Sequence, residues 1–416
     1  MSRINALIRD LCPDGVEYKS LGEVGRLLGG LTGKTKADFV DGTARYVSYK
    51  NVYSNLEVDV TADDFVRISN SETQNALQIG DILFTGSSEN REEVGITSVI
   101  TSLPPEPLYL NSFCICFRPT EIFTLLPEFA KHLFRSGAIR HQIIKTATGV
   151  TRINISRKNL AKIQVPLPPV EVQQEVARIL DQLTQLEAEL EAELKAELEA
   201  RRQQFTYYRN LIVSGSQQAQ LVPIKDIGKL QRGRRFTRND MVGEGIPAIH
   251  YGEIYTTYGH KTDSTASFVK DEIEPQLRFA QPGDVIIAAV GETVADVGTG
   301  VAWLGTAPVA YHDDSFALHH NQDPRYVSHA LRTSEYHRQK DRYVSRAKVK
   351  RLSARGIEQI RIPLPALGEQ RRIADILDDF DALINDLTLG LPAEIEARRK
   401  QYEYYRDRLL TFPEKN

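Results

Sequence analysis

Twelve residues recur with little change in this chain of 416: LEARRQQFTYYR at 198–209 and IEARRKQYEYYR at 395–406. The match extends well beyond these residues. At an offset of 197, residues 163–213 align with 360–410 without a gap, and 22 of the 51 positions are identical. A gapless match of this length indicates that one structural unit is used twice in the chain.

Fainter matches precede each repeated block, at an offset of 203. They pair LGEVGRLLGG (21–30) with IKDIGKLQRG (224–233), QIGDILF (78–84) with QPGDVII (281–287), and Ser112–Phe113 with Ser315–Phe316. One offset that serves separate stretches predicts that the segments before the two blocks share a fold as well. We therefore expect the order segment, block, segment, block.

The repeated blocks have the pattern of long helices. After Pro166 and Pro168, apolar residues recur at alternating spacings of four and three, which is the seam of a coiled coil. The seam of the first block is Val172, Val176, Ile179, Leu183, Leu186, Leu190, Leu194 and Leu198, and that of the second is Ile373, Ile376, Phe380, Leu383 and Leu387. LGLP at 389–392 predicts a kink or short break in the second helix. Because each helix has one apolar stripe, we expect each to cover the other.

The segments before the blocks are rich in short β-branched or aromatic runs bounded by Gly, Pro, Asn and Asp, and each ends in a helical stretch. We therefore predict an α+β fold with a pseudo-twofold internal repeat. Two globular α/β domains, at 1–162 and 215–359, are separated by two long helices, at 163–214 and 360–416, that pack as an antiparallel coiled coil.

The composition predicts a cytoplasmic protein that does not enter a membrane. Hydrophobic residues make up 41% and charged residues 26% of the chain, and no apolar run approaches the ~18 residues of a membrane span. Three cysteines fit a reducing compartment, and Cys114 and Cys116, on a strand, are expected to be buried. The net charge of −3 conceals a split, because residues 163–200 carry nine acidic residues against Arg178 and Lys195.

The motifs favour a binding protein over an enzyme. GGLTGKT (29–35) has Leu28 where a phosphate-binding loop needs glycine, and Asp14 and Glu17 lie too close together for a nuclease centre. His312, Asp313 and Asp314, with His319–His320 nearby, suggest a metal only weakly. We find no set of nucleophile, base and orienting group, and we predict neither a catalytic residue nor a metal site.

Basic residues are clustered at equivalent places in the two repeats. Residues 135–158 hold six Lys or Arg and no acid, 338–355 hold eight against Asp341 alone, and RGRRFTR (232–238) holds four arginines. Such residues neutralise phosphates, and polar side chains on nearby loops contact the backbone or read base edges. The predicted DNA-binding residues are Lys34, Lys36, Lys50, Asn51, Lys145, Thr148, Thr151, Arg152, Arg232, Arg234, Arg235, Arg238, His250, Tyr251, Arg346, Lys348, Lys350 and Arg351.

This organisation predicts a pseudo-dimer within one chain. Two different basic domains, held apart by a helical pair, suit two different half-sites on DNA about one turn, ~34 Å, apart. The length of the helices should then determine the gap between the half-sites.

The chain resembles the specificity subunit of type I restriction–modification systems, the HsdS family, over its whole length. The residues that carry the resemblance are CPDGVEYKSLGEV (12–24), the pair VPLPP and IPLPA, Gln173 and Gln370 after those prolines, the two ARRxQxxYYR endings, and TGVTRINISRKNLAKIQVPLPP (148–169). The second junction, VSRAKVKRLSARGIEQIRIPLP, departs from the pattern and lacks its Thr-Gly.

The resemblance implies two target-recognition domains that read a split, asymmetric sequence in double-stranded DNA, and no catalytic activity in this chain. It implies docking of two modification subunits on the helices and of restriction subunits through them. S-adenosylmethionine, ATP and Mg are then expected on those partners, with no cofactor in this chain. The expected partner-binding residues are Gln173, Tyr207, Tyr208, Arg209, Gln370, Tyr404, Tyr405 and Arg406.

Two alternatives remain at this point. A coiled-coil scaffold that binds only proteins explains the helices and leaves the paired basic clusters unexplained. A self-contained nuclease would need a metal centre that the sequence does not offer.

Overall fold

The computed structural model describes residues 2–69, 71–122, 124–215, 219–345, 348–385 and 391–415. The chain forms two compact units. Unit 1 comprises Met1–Ala192 and Ile395–Asn416, and unit 2 comprises Glu193–Glu394. Each unit therefore combines one recognition segment with the beginning of one repeated block and the end of the other.

The first recognition segment is built mainly of short strands. Its elements are α1 (Ser2–Leu11), β1 (Tyr18–Ser20), α2 (Leu21–Val24), β2 (Gly25–Gly29), a 3-10 helix (Lys36–Phe39), β3 (Ala44–Val47), α3 (Tyr49–Ser54), β4 (Phe65–Val66), β5 (Ile82–Thr85), β6 (Ser87–Ser88), β7 (Thr97–Val99), β8 (Leu108–Leu110), β9 (Cys114–Pro119), α4 (Pro127–Leu133), α5 (Gly137–Lys145), β10 (Ile153–Asn154), α6 (Arg157–Leu160) and β11 (Gln164–Pro166). They are followed by the long helix α7 (Val170–Ser214).

Unit 1 contains two main sheets with a core between them. A sheet of order β2-β9-β5-β7 is antiparallel throughout, and a second has the order β4-β3-β8, with β3 and β8 parallel. Cys114 and Cys116 pack with Leu83 of β5 and with Val47 and Leu110 of the second sheet. The prediction that both cysteines are buried is confirmed.

The second recognition segment repeats this plan. Its elements are β12 (Gln220–Pro223), α8 (Ile224–Ile227), β13 (Gly228–Arg232), a 3-10 helix (Arg238–Asp240), β14 (Met241–Val242), β15 (Ile246–Ile249), α9 (Glu253–Thr256), β16 (Lys261–Thr262), β17 (Ser267–Val269), a 3-10 helix (Asp271–Gln276), β18 (Phe279–Ala280), β19 (Val285–Ala288), β20 (Val290–Gly291), β21 (Gly300–Trp303), β22 (Val309–Tyr311), β23 (Ser315–His320), α10 (Pro324–Ala330), α11 (Ser334–Lys340), β24 (Val344–Ser345), β25 (Lys350–Leu352), α12 (Ala354–Gln359) and β26 (Arg361–Leu364). Its main sheets have the orders β13-β23-β19-β21-β16 and β14-β17-β15-β22-β18.

The strand register corrects one detail of the sequence alignment. Thr85 lies opposite Cys114 in unit 1, and its counterpart Ala288 lies opposite Ser315 in unit 2. The offset is therefore 203 at β5 and β19 but 201 at β9 and β23. The pairing of Ser112–Phe113 with Ser315–Phe316 was wrong by two residues, because the connection between these strands is two residues shorter in unit 2.

The Gly-Asp pair of QIGD and QPGD forms the same turn in both units. Gly80 adopts a φ of 86°, which favours glycine. Asp81 then accepts two hydrogen bonds from Arg118 of β9, at 2.7 and 2.6 Å. In unit 2, the carboxylate of Asp284 lies 2.7 Å from Nδ1 of His319 on β23. The contact with Asp284 therefore explains the position of His319 without a metal ion.

The long helices pack in pairs, as predicted. After unit 2's strands come α13 (Leu367–Asn385) and α14 (Leu391–Leu409). In unit 1 the hydroxyl groups of Thr184 and Tyr402 lie 2.7 Å apart, and in unit 2 the rings of Tyr208 and Phe380 are 6.0 Å apart. The predicted break at 389–392, and Leu387 of the seam, fall mainly on residues 386–390, which lie outside the described residues.

The buried face of α7 is wider than the predicted seam. Val172 and Val176 are fully buried, and so is Leu180, which the seam omits, because α7 also packs against the core of the recognition segment. Leu186, a predicted seam residue, is 60% exposed. Burial on α7 therefore follows two contact surfaces rather than one.

A buried histidine that donates to an aspartate links each recognition segment to its long helix. His132 of α4 donates from Nε2 to Asp181 of α7 at 2.7 Å. At the same offset of 197, His329 of α10 donates to Asp378 of α13 at 3.1 Å, and His260 donates to the same carboxylate oxygen at 2.6 Å. Burial lowers the pKa of His329 to about 3, while these donors help to hold the pKa of Asp378 well below its usual range.

This link predicts that acid destabilises unit 2. Since the unfolded histidine titrates near 6.5, the unfolded chain binds more protons than the folded one as the pH falls from 6.5 towards 3, and stability falls with it. Between pH 7 and 5, His329 alone should remove about 2 kcal/mol from the free energy of unfolding. The variant His329→Gln keeps a donor without titrating, so its stability should depend less on pH in calorimetry. An identical pH dependence in both proteins would contradict this account.

Candidate nucleic-acid interface

Unit 2 carries a polar cleft of about 550 Å³ on its recognition segment. Three of the four arginines of RGRRFTR line it, together with side chains that follow β15 and one from β25. The lining includes Arg232, Arg235, Arg238, His250, Tyr251 and Arg351. These residues come from three separate stretches of sequence, so the fold gathers most of the predicted contacts of this segment into one place.

The floor of this cleft is formed by His312, Asp313 and Asp314, the residues that suggested a metal only weakly. His312 donates from Nε2 to the backbone oxygen of Phe236 at 3.1 Å. The carboxylate of Asp314 is 3.3 Å from Nη1 of Arg351. Ligand atoms of these three residues lie within 4.8 Å of one another. The carboxylates, however, already face arginines, which hold the floor of the cleft in place.

The aromatic rings of the cleft form a packed group. The rings of His250 and Tyr251 are 4.4 Å apart, and His250 and His312 are 4.8 Å apart. Burial lowers the pKa of both histidines, so they are neutral at pH 7. A neutral imidazole offers either a donor or an acceptor, which suits the reading of a base edge better than binding of a phosphate.

Unit 1 carries a corresponding cleft of about 650 Å³. The guanidinium of Arg152 lies 5.4 Å from the ring centre of Phe113 and donates to Oγ of Ser87 at 3.2 Å. The hydroxyl of Tyr49 donates to the backbone oxygen of Ser87 at 2.8 Å. Glu89 and Glu93 also line this cleft, which therefore contains a cation, aromatic rings, hydroxyl groups and two carboxylates.

The same antiparallel strand pair contributes to each cleft. Ser87 and Ser88 of β6 line the cleft of unit 1, and Arg351 of β25 lines that of unit 2. In unit 1, β6 pairs with β10, and in unit 2 their counterparts β20 and β25 pair in the same antiparallel manner. The side chains on these strands differ between the units. One architecture is thus present twice with different lining residues, as is expected of two readers with different targets.

Comparison with known proteins identifies the family. Residues 13–200 and 217–397 match the family described as "Type I restriction modification DNA specificity domain". The chain belongs to this family. It is a DNA specificity subunit of a type I restriction–modification system, a subunit without catalytic activity of its own.

Two relatives agree with this assignment. The chain is 34% identical over 270 residues, 64% of this chain and 68% of the relative, to a Haemophilus influenzae protein described as a type I restriction enzyme specificity subunit. It is 32% identical over 274 residues, 62% of this chain and 65% of the relative, to the EcoR124I/EcoR124II specificity subunit of Escherichia coli.

Two structures share the fold at low sequence identity. One, from work on complex assembly and conformational transition of the type I R-M system, has a TM-score of 0.72 at 18% identity and covers 96% of this chain and 98% of its own. The crystal structure of the HsdS subunit from Thermoanaerobacter tengcongensis has a TM-score of 0.54 at 17% identity, with 96% of each chain covered. Within the described part of the specificity subunit, no helix has both the length and the apolar character needed to cross a membrane.

Other predicted DNA contacts lie outside the two clefts. Lys145 and Thr148 line a neighbouring hollow of about 400 Å³ in unit 1, whereas Thr151 lines the cleft with Arg152. Four further side chains are exposed elsewhere on the recognition segments: Lys36, Lys50, Arg234 and Lys348. Lys350 lies on β25 and is partly buried, and Arg346 lies outside the described residues.

Lys34 and Asn51 have roles inside unit 1. The amine of Lys34 donates to the carboxylate of Glu72 and to a backbone oxygen, and its side chain is only 5% exposed. Asn51 is buried, and its amide bonds the backbone of Asp59 and the side chain of Asn55. Neither side chain is available to DNA in this structure, so we leave both out of the interface.

Sequence reasoning missed several cleft residues, among them Tyr49, Ser87, Glu89 and Phe113. None of them is basic, and a search for basic clusters passes over them. One signal was present, because Glu89 and Glu292 occupy the same position at the offset of 203. An acidic residue that recurs beside basic residues is a candidate for base reading.

The expected partner-binding residues fall into two groups. Tyr207 and Tyr404, at matching positions on α7 and α14, are 63% and 60% exposed. Tyr405 lines an apolar groove with Leu186 in unit 1. Exposed aromatic side chains in a repeated sequence suit a protein-binding surface. The remaining residues of the set, Tyr208, Arg209, Gln173, Gln370 and Arg406, are engaged within their units.

The two glutamines fasten each recognition segment to its long helix. Gln173 is 1% exposed, and its amide accepts from the backbone nitrogen of Leu126 and donates to the backbone oxygens of Thr124 and Pro168. Gln370 makes the equivalent bond to the backbone nitrogen of Asp323. Because their amides are fully used inside the units, we leave both glutamines out of the docking surface.

Arg209 and Arg406 also face inward. The guanidinium of Arg209 lies 4.5 Å from the ring centre of Phe205, and burial lowers the pKa of this arginine. Arg406 donates to the carboxylate of Asp407 at 2.9 Å, and its side chain is 16% exposed. The exposed tyrosines, rather than these arginines, are therefore the accessible part of the repeated endings.

Proposed function

We propose that this specificity subunit reads a bipartite, asymmetric target in double-stranded DNA, with one half-site for each recognition segment. The observation that carries the proposal is the pair of matched clefts. Each is lined in part by one strand of the matched pair, and they differ in their lining residues. The target-recognition domains are proposed to span residues 1–162 and 215–359.

The chemistry of the clefts supports contact with DNA. Arginines at the rims, such as Arg235, Arg238 and Arg152, suit phosphate oxygens and the edge of guanine. The hydroxyl and imidazole groups below them offer donors and acceptors for other base edges. A cleft with this mixture supports both affinity and discrimination.

The long helices are proposed to set the spacer and to dock two modification subunits. The spacer helices correspond to residues 163–214 and 360–416. Tyr207 and Tyr404 are exposed at matching positions, so two copies of one partner can meet the same side chains. Restriction subunits join through the modification subunits, and S-adenosylmethionine, ATP and Mg serve the chemistry on those partners in the cytoplasm.

Single substitutions at exposed basic residues test DNA contact in both segments. Arg152→Met and Lys348→Met should each weaken binding severalfold across most sequences at about 0.15 M salt, because each loses a phosphate contact. The slope of log K against log salt should fall by about one for each variant. The measurement is equilibrium binding to DNA by the complex with the modification subunit. Unchanged affinity and slope for both variants would favour the protein-binding scaffold.

A further inference from the structure

The loop that follows β5 in unit 1 and β19 in unit 2 has the same closed conformation in both. We call residues 86–95 and 289–298 the clamped loops. Each closes with a backbone hydrogen bond, from Gly95 to Thr85 at 3.0 Å and from Gly298 to Ala288 at 2.8 Å. Gly95 has a φ of 68°, and a Cβ there would meet Ile143 at 2.4 Å.

In unit 1, one arginine holds three backbone oxygens of this loop. Arg140 of α5 donates from Nη1 to the oxygen of Gly95 at 2.7 Å. From Nη2 it donates to the oxygens of Glu92 and Val94 at 2.7 and 2.9 Å. A surface loop ordinarily leaves such oxygens to water.

In unit 2, two other side chains hold the same three oxygens. Lys340 of α11, which is fully buried, donates from Nζ to the oxygens of Val297 at 2.6 Å and Ala295 at 3.3 Å. The hydroxyl of Tyr336 donates to the oxygen of Gly298 at 2.8 Å. At the offset of 203, these oxygens are the counterparts of those held by Arg140.

The two units reach this result with unrelated residues. At the helical offset of 197, Arg140 corresponds to His337, and Lys340 to Ile143. Burying a cation is costly, and burial lowers the pKa of Arg140 to about 10 and that of Lys340 to about 8. Both units bury a cation at this cost, and they use different residues to do so. This repetition indicates that the conformation of the clamped loop itself is required.

An exposed glutamate lies at the same position in both clamped loops. Glu89 lines the cleft of unit 1, one residue beyond β6, which forms a wall of that cleft. Glu292 follows β20, its counterpart in unit 2. A carboxylate repels phosphate, so the place of Glu89 in a cleft with Arg152 suits an acceptor for the exocyclic amino group of a base, as carboxylates accept from cytosine.

We propose that Glu89 and Glu292 read amino groups on base edges and that Arg140, and Lys340 with Tyr336, are positioning residues that fix the loops carrying them. This inference rests on the proposed function and names residues within it. Substitutions in the two units should affect different half-sites, because Arg140 and Glu89 belong to unit 1, and Lys340 and Glu292 belong to unit 2.

The test is selection from random DNA by the complex of this subunit with its modification subunit. Glu89→Gln replaces two acceptors with one acceptor and one donor, and should reduce discrimination about tenfold at one base position of one half-site. Glu92→Gln is the matched control, because Glu92 is exposed on the same loop and does not line the cleft. Glu292→Gln should act on the other half-site alone.

The positioning role is tested with Arg140→Met and Arg140→Lys. Arg140→Met should broaden the preference at the base position affected by Glu89→Gln, and Arg140→Lys should restore it in part, because an ammonium holds two of these oxygens in unit 2. Glu89 is exposed, so its variant folds and remains informative even if Arg140→Met unfolds. A parent motif left unaltered by Glu89→Gln and Glu292→Gln would overturn this inference alone. A parent complex that selects no motif would overturn the proposed function and this inference together.

Discussion

A specificity subunit with both Arg235→Glu and Arg238→Glu binds DNA at least tenfold more weakly than the parent at about 0.15 M salt, if the cleft of unit 2 meets the DNA backbone. Both arginines are exposed on the cleft rim, so the substitutions remove two cations and add two anions where phosphates are expected. Loss of two phosphate contacts lowers the salt slope by about two, and repulsion weakens binding further. Equilibrium binding by the complex at several salt concentrations measures both effects.

The control carries the same change of charge elsewhere on unit 2. Lys225 and Lys229 are exposed and do not line the cleft, so Lys225→Glu with Lys229→Glu should weaken binding much less. Equal losses in the two double variants would show that only the net charge of the unit matters. That result would remove the cleft from the account.

An insertion in α7 should lengthen the gap between the two half-sites. α7 runs without a break from Val170 to Ser214, with its beginning in unit 1 and its end in unit 2. Seven residues added after Leu190 are about two turns and add about 10 Å. At 3.4 Å per base pair, the gap should grow by about three base pairs.

The connection between α13 and α14 must be lengthened by the same amount as α7. A matched insertion between Asn385 and Leu391 lengthens the return from α13 to α14, which belongs largely to unit 1. Selection from random DNA should then give the parent half-sites with a wider gap. A gap of unchanged length, with both half-sites retained, would show that the helices do not measure the distance.

Much of the architecture could be predicted from the sequence because repetition exposes it. The blocks at 163–213 and 360–410 share spacing and charge, and the paired helices and the α+β class are confirmed. The apolar periodicity of the helices does not reveal which unit each end of a helix packs in. Leu409 of α14, and Phe412 just after it, pack in the core of unit 1, although α14 follows the second segment in sequence.

Local errors have identifiable causes. RYVSYKNV (45–52) has the composition of one strand, but Ser48 accepts a hydrogen bond from the backbone of Asn51 and begins α3 at Tyr49. The same change from strand to helix follows β15. At Ser48, a capping side chain outweighs β propensity over so few residues.

The site was predicted less completely than the fold. Basic clusters led to the cleft of unit 2, since RGRRFTR supplies three of its arginines. They also pointed to Lys34, but its amine donates to the carboxylate of Glu72, which lies 38 residues away in sequence. Contacts between residues that are distant in sequence, such as Lys34 with Glu72 or Arg140 with the clamped loop, cannot be predicted from a local sequence pattern.

Selection from random DNA, with sequencing, by this subunit and its modification subunit tests the central claim most directly. We expect a split, asymmetric motif with a gap of fixed length. No enrichment from a complex that still assembles would contradict it and would leave a protein-binding scaffold whose basic clusters are ordinary surface.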